Sequence, residues 1–255
     1  MDFTVSADAY DRFMGRYSVP LAPLFADFGG VSPGQRVLDV GCGPGALTTE
    51  LVTLLGAGSV VAVDPSSSFV DAVRQRHPDV QVHQAGAEQL PMPTDTFDAA
   101  LAQLVVHFMA DPVAGLREMI RVTRAGGIVA ACVWDFEEGG GPLTGFWSAA
   151  RDLDPDAPDQ SDRAGARRGH LALLLAEAGA AQVEQDALSI SVRHDTFEDW
   201  WHPFESGFGP AGTYLASLDG PRRDRLEARC RETLPEPPFT VTATAWAARA
   251  RVPAH

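Results

Sequence analysis

The sequence predicts an α/β fold built on a doubly wound parallel sheet, and three features predict it. Apolar runs of strand length alternate with helix-length segments five times within about a hundred residues. The first run ends in Gly41, Gly43 and Gly45, directly before a helical stretch. A final strand with period-two alternation stands at 239–252, after helical material that separates it from the strand before it.

The elements follow in order. DAYDRFMGRYSVPLAPLFADF (8–28) reads as one or two short helices broken near Pro20. RVLDV (36–40) is a buried strand, and ALTTELVTLLGAG (46–58) is a helix stopped by Gly56 or Gly58. SVVAVD (59–64) is the second strand. PSSSFVDAVRQRH (65–77) is a helix opened by Pro65 and its serines. VQVHQA (80–85) and DAALAQL (98–104) are the third and fourth strands. DPVAGLREMIRVTR (111–124) is a helix with Val113, Leu116 and Ile120 on one stripe. GGIVAACVW (126–134) is the fifth strand. Residues 135–165, rich in Gly, Pro and Asp, read as a loop or lid. RRGHLALLLAEAGA (167–180) is a helix and QVEQDALSISVRH (182–194) a sixth strand. Residues 195–237 read as a helical insertion with many prolines, before FTVTATAWAARARV (239–252). No internal repeat is visible.

At 255 residues the chain accommodates one large domain, or one domain with a sizeable insertion. No stretch reaches the roughly 18 unbroken apolar residues of a membrane span. The N-terminal residues lack a basic-then-apolar signal pattern, so a cytoplasmic protein is expected. The formal net charge of −14 repels nucleic acid and anionic lipid, so neither nucleic acid nor membrane is an expected partner. All 20 basic residues are arginine. Without lysine there is no Schiff-base chemistry and no Gly-Lys-Ser/Thr phosphate loop. The three cysteines are scattered and form no C-x-x-C pair, so neither a disulfide framework nor a metal site is expected.

In an open parallel sheet, ligands sit beyond the C-terminal ends of the strands. Bare backbone there lets a ligand touch the main chain, and the following helix offers free N–H groups. Gly41-x-Gly43-x-x-Ala46 also fits the dinucleotide pattern, with Asp64 standing 18 positions after Ala46. The glycines alone specify an adenosine-type cofactor and leave two classes open.

The string V-L-D-V-G-C-G-P-G (37–45) resembles the first motif of class I S-adenosylmethionine-dependent methyltransferases, in particular the methyltransferase type 11 group. Val61, Asp64 and Pro65 resemble the second motif. A-G-A-E-Q-L-P (85–91) resembles the adenine-contact segment. Phe97-Asp98 through Asp111-Pro112, and R-A-G-G (124–127), resemble the fourth strand and the turn before the fifth. The resemblance covers residues 10–134. It implies a Rossmann-like, seven-stranded, mainly parallel sheet of order 3-2-1-4-5-7-6, with strand 7 antiparallel and helical lid insertions. It implies a single domain over 1–255, with 1–30 lying over the cofactor site and 135–165 and 195–237 acting as lid and substrate insertions. It implies S-adenosylmethionine as cofactor, held by Tyr10, Arg16, Asp39, Gly41, Cys42, Gly43, Asp64, Pro65, Gly86, Ala87, Glu88 and Gln103. In that scheme Asp64 accepts two ribose hydroxyls, Arg16 pairs with the cofactor carboxylate, and Tyr10 or Tyr17 closes the site. Asp39 either reaches the ammonium group or serves a structural role. Gly86 stands where the family usually has Asp, so the adenine hydrogen bond comes from Glu88, comes from backbone, or is absent, its loss costing about 1 kcal/mol.

Methyl transfer from a sulfonium needs positioning more than a catalytic motif, and none is present. His107, after the fourth strand, is the candidate base or substrate contact, with a packed histidine as the structural alternative. Trp134, Phe13 and Trp147 are candidate substrate contacts. The lid aromatics read equally as the insertion's own core. The acidic charge favours a small-molecule acceptor. A nicotinamide-dependent oxidoreductase and a catalytically silent cofactor-binding module are the competing readings. The Tyr-x-x-x-Lys pair that one class of such oxidoreductases uses is impossible without lysine.

Overall fold

The computed structural model describes residues 11–158, 160–207 and 209–253. Seven strands form one sheet: β1 (Val37–Val40), β2 (Val60–Asp64), β3 (Gln81–Gln84), β4 (Phe97–Gln103), β5 (Thr123–Trp134), β6 (Ala181–His194) and β7 (Phe239–Arg251). Their order is β3-β2-β1-β4-β5-β7-β6. The first five are parallel to one another, whereas β7 runs antiparallel to both β5 and β6. The expected topology is therefore the observed one. β1 lies between β2 and β4, so the chain reverses direction across the sheet at β1 and opens a crevice there.

The helices are α1 (Arg16–Phe28), α2 (Ala46–Leu55), α3 (Ser67–Arg76), α4 (Pro112–Val122), α5 (Thr144–Leu153), α6 (His170–Glu177), α7 (Phe197–Glu205), α8 (Gly209–Ser217) and α9 (Gly220–Thr233). Side chains of a strand alternate between faces. Val37, Val60, Ala62, Ala99 and Leu101 pack under α1, α2 and α3, while Leu38, Val61, Ala100 and Val129 pack under α4 and α6. Both faces are thus covered, which is why β1 and β2 are buried at every position.

Two local expectations differ from the structure. The N-terminal segment does not break at Pro20: α1 runs through Pro20 and Pro23 after a π-helical turn at Asp11–Gly15. An interior proline costs roughly 3 kcal/mol. Burial of the opposite face, Tyr17, Leu21 and Phe25, offsets it at roughly 1.5–3 kcal/mol per large side chain. The second difference lies in 135–165, where α5 forms because Phe146, Trp147, Ala149 and Ala150 supply a buried helical face.

Those aromatics build a separate cluster. Phe146 stacks on Phe204 with centroids 4.6 Å apart and planes at 14°, and Trp200, Trp201, Phe197 and Phe239 surround them. α5, α7, α8 and α9 thus share their own core beside the sheet. No helix among the described residues is long and apolar enough to cross a membrane.

Candidate functional site

Strand alternation brings three polar side chains to one face and one end of the sheet. Asp39 shares the face of Val37, Asp64 that of Ala62, and Gln103 that of Leu101. All three are nearly fully buried. They line a cleft of about 680 Å³ together with Gly41, Gly43 and Ser18 of α1.

The glycine loop is shaped by contacts that only glycine permits. Gly41 has φ 69°, and a Cβ there would sit 2.5 Å from both methyls of Val105. Its amide, with that of Cys42, donates to the Val63 carbonyl at 2.8 and 2.9 Å. Gly43 has φ 52°, and a Cβ there would meet nothing within 4 Å, so it faces open space. Gly45, at φ 101°, begins α2 with no side-chain cap. The first amides of α2 therefore have no intrahelical partner, as at any helix start. Arg76 braces the loop by donating to the Pro44 carbonyl at 2.7 Å.

Each polar group of the cleft keeps spare capacity. Asp39 Oδ2 accepts from Thr48 Oγ1 of α2 at 2.6 Å, while Oδ1 is buried and unpartnered. Burial pushes the Asp39 carboxyl up to about 7, against the Thr48 hydroxyl, which stabilises the anion; the nearby Asp64 charge adds to the rise. Asp64 accepts the Gly43 amide at 2.9 Å on Oδ2 and the Ser66 amide at 2.9 Å on Oδ1. Burial raises its pKa and those two amides oppose the rise. Gln103 Nε2 donates to the Ser18 carbonyl at 3.0 Å, leaving Gln103 Oε1 and Ser18 Oγ buried without partners.

Beside the cleft lies an apolar chamber of about 690 Å³ lined by Phe13, Met14, His107, Trp134, Phe136 and Leu143, among others. Leu104 and Phe108 line both cavities. Leu104 has φ 61°. That backbone is strained for a residue with a side chain, by roughly 1–3 kcal/mol. The turn it makes sets Val105 on Gly41 and turns His107 and Phe108 into the chamber wall. The His107 ring lies 3.9 Å from that of Phe108 and 5.7 Å from that of Phe136. Burial, with Arg163 close by, lowers its pKa to about 3, so the imidazole is neutral.

The structure therefore gathers Asp39, Gly41, Cys42, Gly43, Asp64, Pro65 and Gln103 at one cleft, and Phe13, His107 and Trp134 at the chamber beside it. Other expected residues lie elsewhere. Arg16 is committed to α7 and the end of β6: it donates to Asp199 Oδ1 at 2.5 Å and to the Asp199 carbonyl at 2.8 Å, and it lies 3.3 Å from His194 Nδ1. Tyr17, a candidate for closing the site, is buried with its hydroxyl 3.1 Å from His194 Nε2. Gly86, Ala87 and Glu88 do not line the cleft. Ala87 is packed in the core layer of α4, and Glu88 Oε1 accepts the amides of Ala110 and Asp111 at 2.8 and 3.4 Å, holding the approach to α4. Trp147 belongs to the separate core of α5, α7, α8 and α9 and lines a smaller neighbouring pocket instead of the chamber. Tyr10 lies outside the described residues.

Ser18 and Thr48 do not stand out in the sequence. Thr48 carries a signal, because it opens the helix after the glycines and so faces back toward the strand holding Asp39. Ser18 carries none, since its carbonyl meets Gln103 from 85 positions away. Among the described residues no group of three or more His, Cys, Asp or Glu side chains could hold a metal, and the three cysteines are buried free thiols.

Residues 38–131 match a family model described as a methyltransferase domain. A demethylmenaquinone methyltransferase of Mycobacterium sp. (strain KMS) is 40% identical over 103 residues, which is 40% of this chain and 43% of that protein. A ubiquinone/menaquinone biosynthesis C-methyltransferase of Vibrio campbellii is 37% identical over 108 residues, 40% of this chain and 42% of that protein. The matched segment thus spans less than half the length of either relative. A Haemonchus contortus phosphoethanolamine N-methyltransferase 2, solved with phosphomonomethylethanolamine and S-adenosylhomocysteine, overlays with a TM-score of 0.57 at 17% identity. That overlay covers 100% of this chain and 62% of the other, and it speaks for the fold alone.

Proposed function

We propose that the chain is a class I, S-adenosylmethionine-dependent methyltransferase that transfers a methyl group to a small-molecule acceptor seated in the apolar chamber, a reading supported by the match of residues 38–131 to a methyltransferase domain. One observation carries the reading. Three side chains lining the cleft carry buried polar atoms without partners, Asp39 Oδ1, Gln103 Oε1 and Ser18 Oγ, beside bare backbone at Gly43. Buried polar groups in native proteins are nearly always paired, so such a set asks for a polar ligand.

The residues fit the cofactor. Asp39 and Gln103 would take its ammonium, since both offer free acceptor oxygens and one is a carboxylate. Asp64, at the end of β2, would take the ribose hydroxyls with the lone pairs its two amide bonds leave over. The amides of Ala46 and Leu47 at the start of α2, which have no intrahelical partner, would take its carboxylate, the part that the family resemblance gives to Arg16. Among the described residues no cation lines the cleft to do so. S-adenosylmethionine supplies a methyl group on a cationic sulfur, already activated for displacement by a lone pair of the acceptor. The chain's own part is to position and to dry the site. Leu104 and Phe108 form the wall shared by the two cavities, which sets the direction in which an acceptor meets the cleft. α1 contributes Ser18 to the cleft and the turn before it Phe13 and Met14 to the chamber, while 135–165 and 195–237 supply Leu143, Gln160 and Gly209 to the chamber. Holding the two reactants in line can account for roughly 7–11 kcal/mol of the barrier. His107 would contact the acceptor; with a pKa near 3 it is a weak general base.

The nicotinamide reading loses ground on topology, because the dinucleotide fold continues its sheet as 3-2-1-4-5-6, whereas here an antiparallel β7 intervenes. The test is incubation with methyl-labelled S-adenosylmethionine and a fractionated metabolite extract. Label should move to a small molecule, and should cease to move in Gly43→Val. Binding of the donor with no transfer to any fraction would leave the silent module as the better description.

A further inference from the structure

The chamber is apolar, yet two side chains of its lining carry buried, unpartnered nitrogens: His107 Nδ1 and Trp134 Nε1. Resting on the methyl-transfer reading, we infer that the chamber selects an uncharged aromatic acceptor that presents hydroxyl or carbonyl oxygen to Trp134 and His107, and that these two residues determine specificity.

Three features lead there. The walls are rings: Phe13, Phe108, Trp134 and Phe136 leave room for a flat molecule that can pack edge or face against them. Among the described residues no charged side chain lines the chamber. The guanidinium of Arg163 sits 6.0 Å from the centroid of Phe108 and donates to the His107 carbonyl at 3.4 Å, outside the lining. The chain itself therefore offers an ionised acceptor no counter-ion in the chamber wall, which is unfavourable for a buried charge. The orphaned groups then say what polarity the ring must carry. An indole N–H can only donate, so it needs an oxygen to receive it. A neutral imidazole accepts from a hydroxyl through Nδ1 when its proton is on Nε2. Burial, with the Arg163 charge close by, keeps the imidazole neutral. Gln160, nearly buried, is a further polar side chain of the wall.

The test uses the full chain saturated with S-adenosylhomocysteine and four matched probes: 2-naphthol, naphthalene, 2-naphthoate and 2-naphthylmethylammonium. Equilibrium titration should find 2-naphthol at least tenfold tighter than either ion. Trp134→Phe and His107→Phe keep an aromatic ring in place; each should weaken 2-naphthol about fivefold, one hydrogen bond's share. Naphthalene and S-adenosylhomocysteine affinities should stay within twofold in both variants, which also shows that they fold. The inference is overturned if either ion binds as tightly as 2-naphthol. It is equally overturned if both variants leave 2-naphthol unchanged, or if S-adenosylhomocysteine binds while no probe does. Those outcomes leave methyl transfer standing. Failure of S-adenosylhomocysteine itself to bind removes both.

Discussion

Replacing Asp39 by asparagine tests the electrostatics of the cleft, because the structure fixes what the change removes. Asp39 is buried beside Asp64 and Thr48, and its carboxyl titrates near 7 in the folded chain, against about 3.9 when unfolded. The folded chain thus holds a proton that the unfolded chain releases. Stability from this group is complete at acid pH and is lost as pH rises from about 4 toward 7. Between pH 5.5 and 8.0 that linkage amounts to about 2 kcal/mol. The asparagine does not titrate, so its own packing and hydrogen-bond defects are constant with pH and cancel in the difference. Wild type minus Asp39→Asn should therefore lose about 2 kcal/mol of relative stability between pH 5.5 and 8.0. For a chain of this size that is roughly 4–8 °C in midpoint. Thermal melts followed by circular dichroism at the two pH values, with urea melts as a check, measure it directly. Parallel pH dependence of the two proteins would refute the assignment of a raised pKa to Asp39. The same substitution should weaken S-adenosylmethionine binding by at least tenfold, a charge-assisted bond being worth roughly 1.5–3 kcal/mol.

Other outcomes follow from the same geometry. Gly41→Ala should lower stability by about 1–3 kcal/mol, read by urea melts, because its methyl meets the Val105 side chain and φ is positive. Gly43→Ala should cost only about 1 kcal/mol of stability, since a methyl there meets nothing, yet it should weaken the cofactor tenfold or more by calorimetry. Arg16→Ala should leave cofactor affinity within threefold while lowering the thermal midpoint, because its partners are Asp199 of α7 and His194 at the end of β6. KM for S-adenosylmethionine should fall as pH rises from 5.5 to 8.0 and Asp39 ionises, while kcat shows no inflection assignable to His107, whose pKa lies near 3.

The sheet was legible because its signals are local. Buried strands are continuous apolar runs, and the V-L-D-V-G-C-G-P-G string fixes a turn that only glycine can make. Asp39 and Asp64 were legible for the same reason: a carboxylate in or closing an apolar strand stands out. What stayed hidden was long-range partnership. Arg16 sits among aromatics near the first motif, and only the fold reveals Asp199, 183 positions away, as its partner. Glu88 matched a motif position, but the amides of Ala110 and Asp111 claim one of its oxygens. α1 survives two prolines and α5 forms inside a Gly-rich stretch because tertiary burial outweighs local propensity. The left-handed turn at Leu104 had no sequence signal, since nothing about leucine announces it.

The most direct measurement is calorimetric titration of the full chain with S-adenosylmethionine and S-adenosylhomocysteine, beside NAD and NADP. The expected result is saturable one-site binding of both sulfur compounds, with proton release near pH 7 as Asp39 ionises, and no heat from either nicotinamide. No uptake of S-adenosylmethionine at millimolar concentration, or tighter binding of a nicotinamide, would contradict the account.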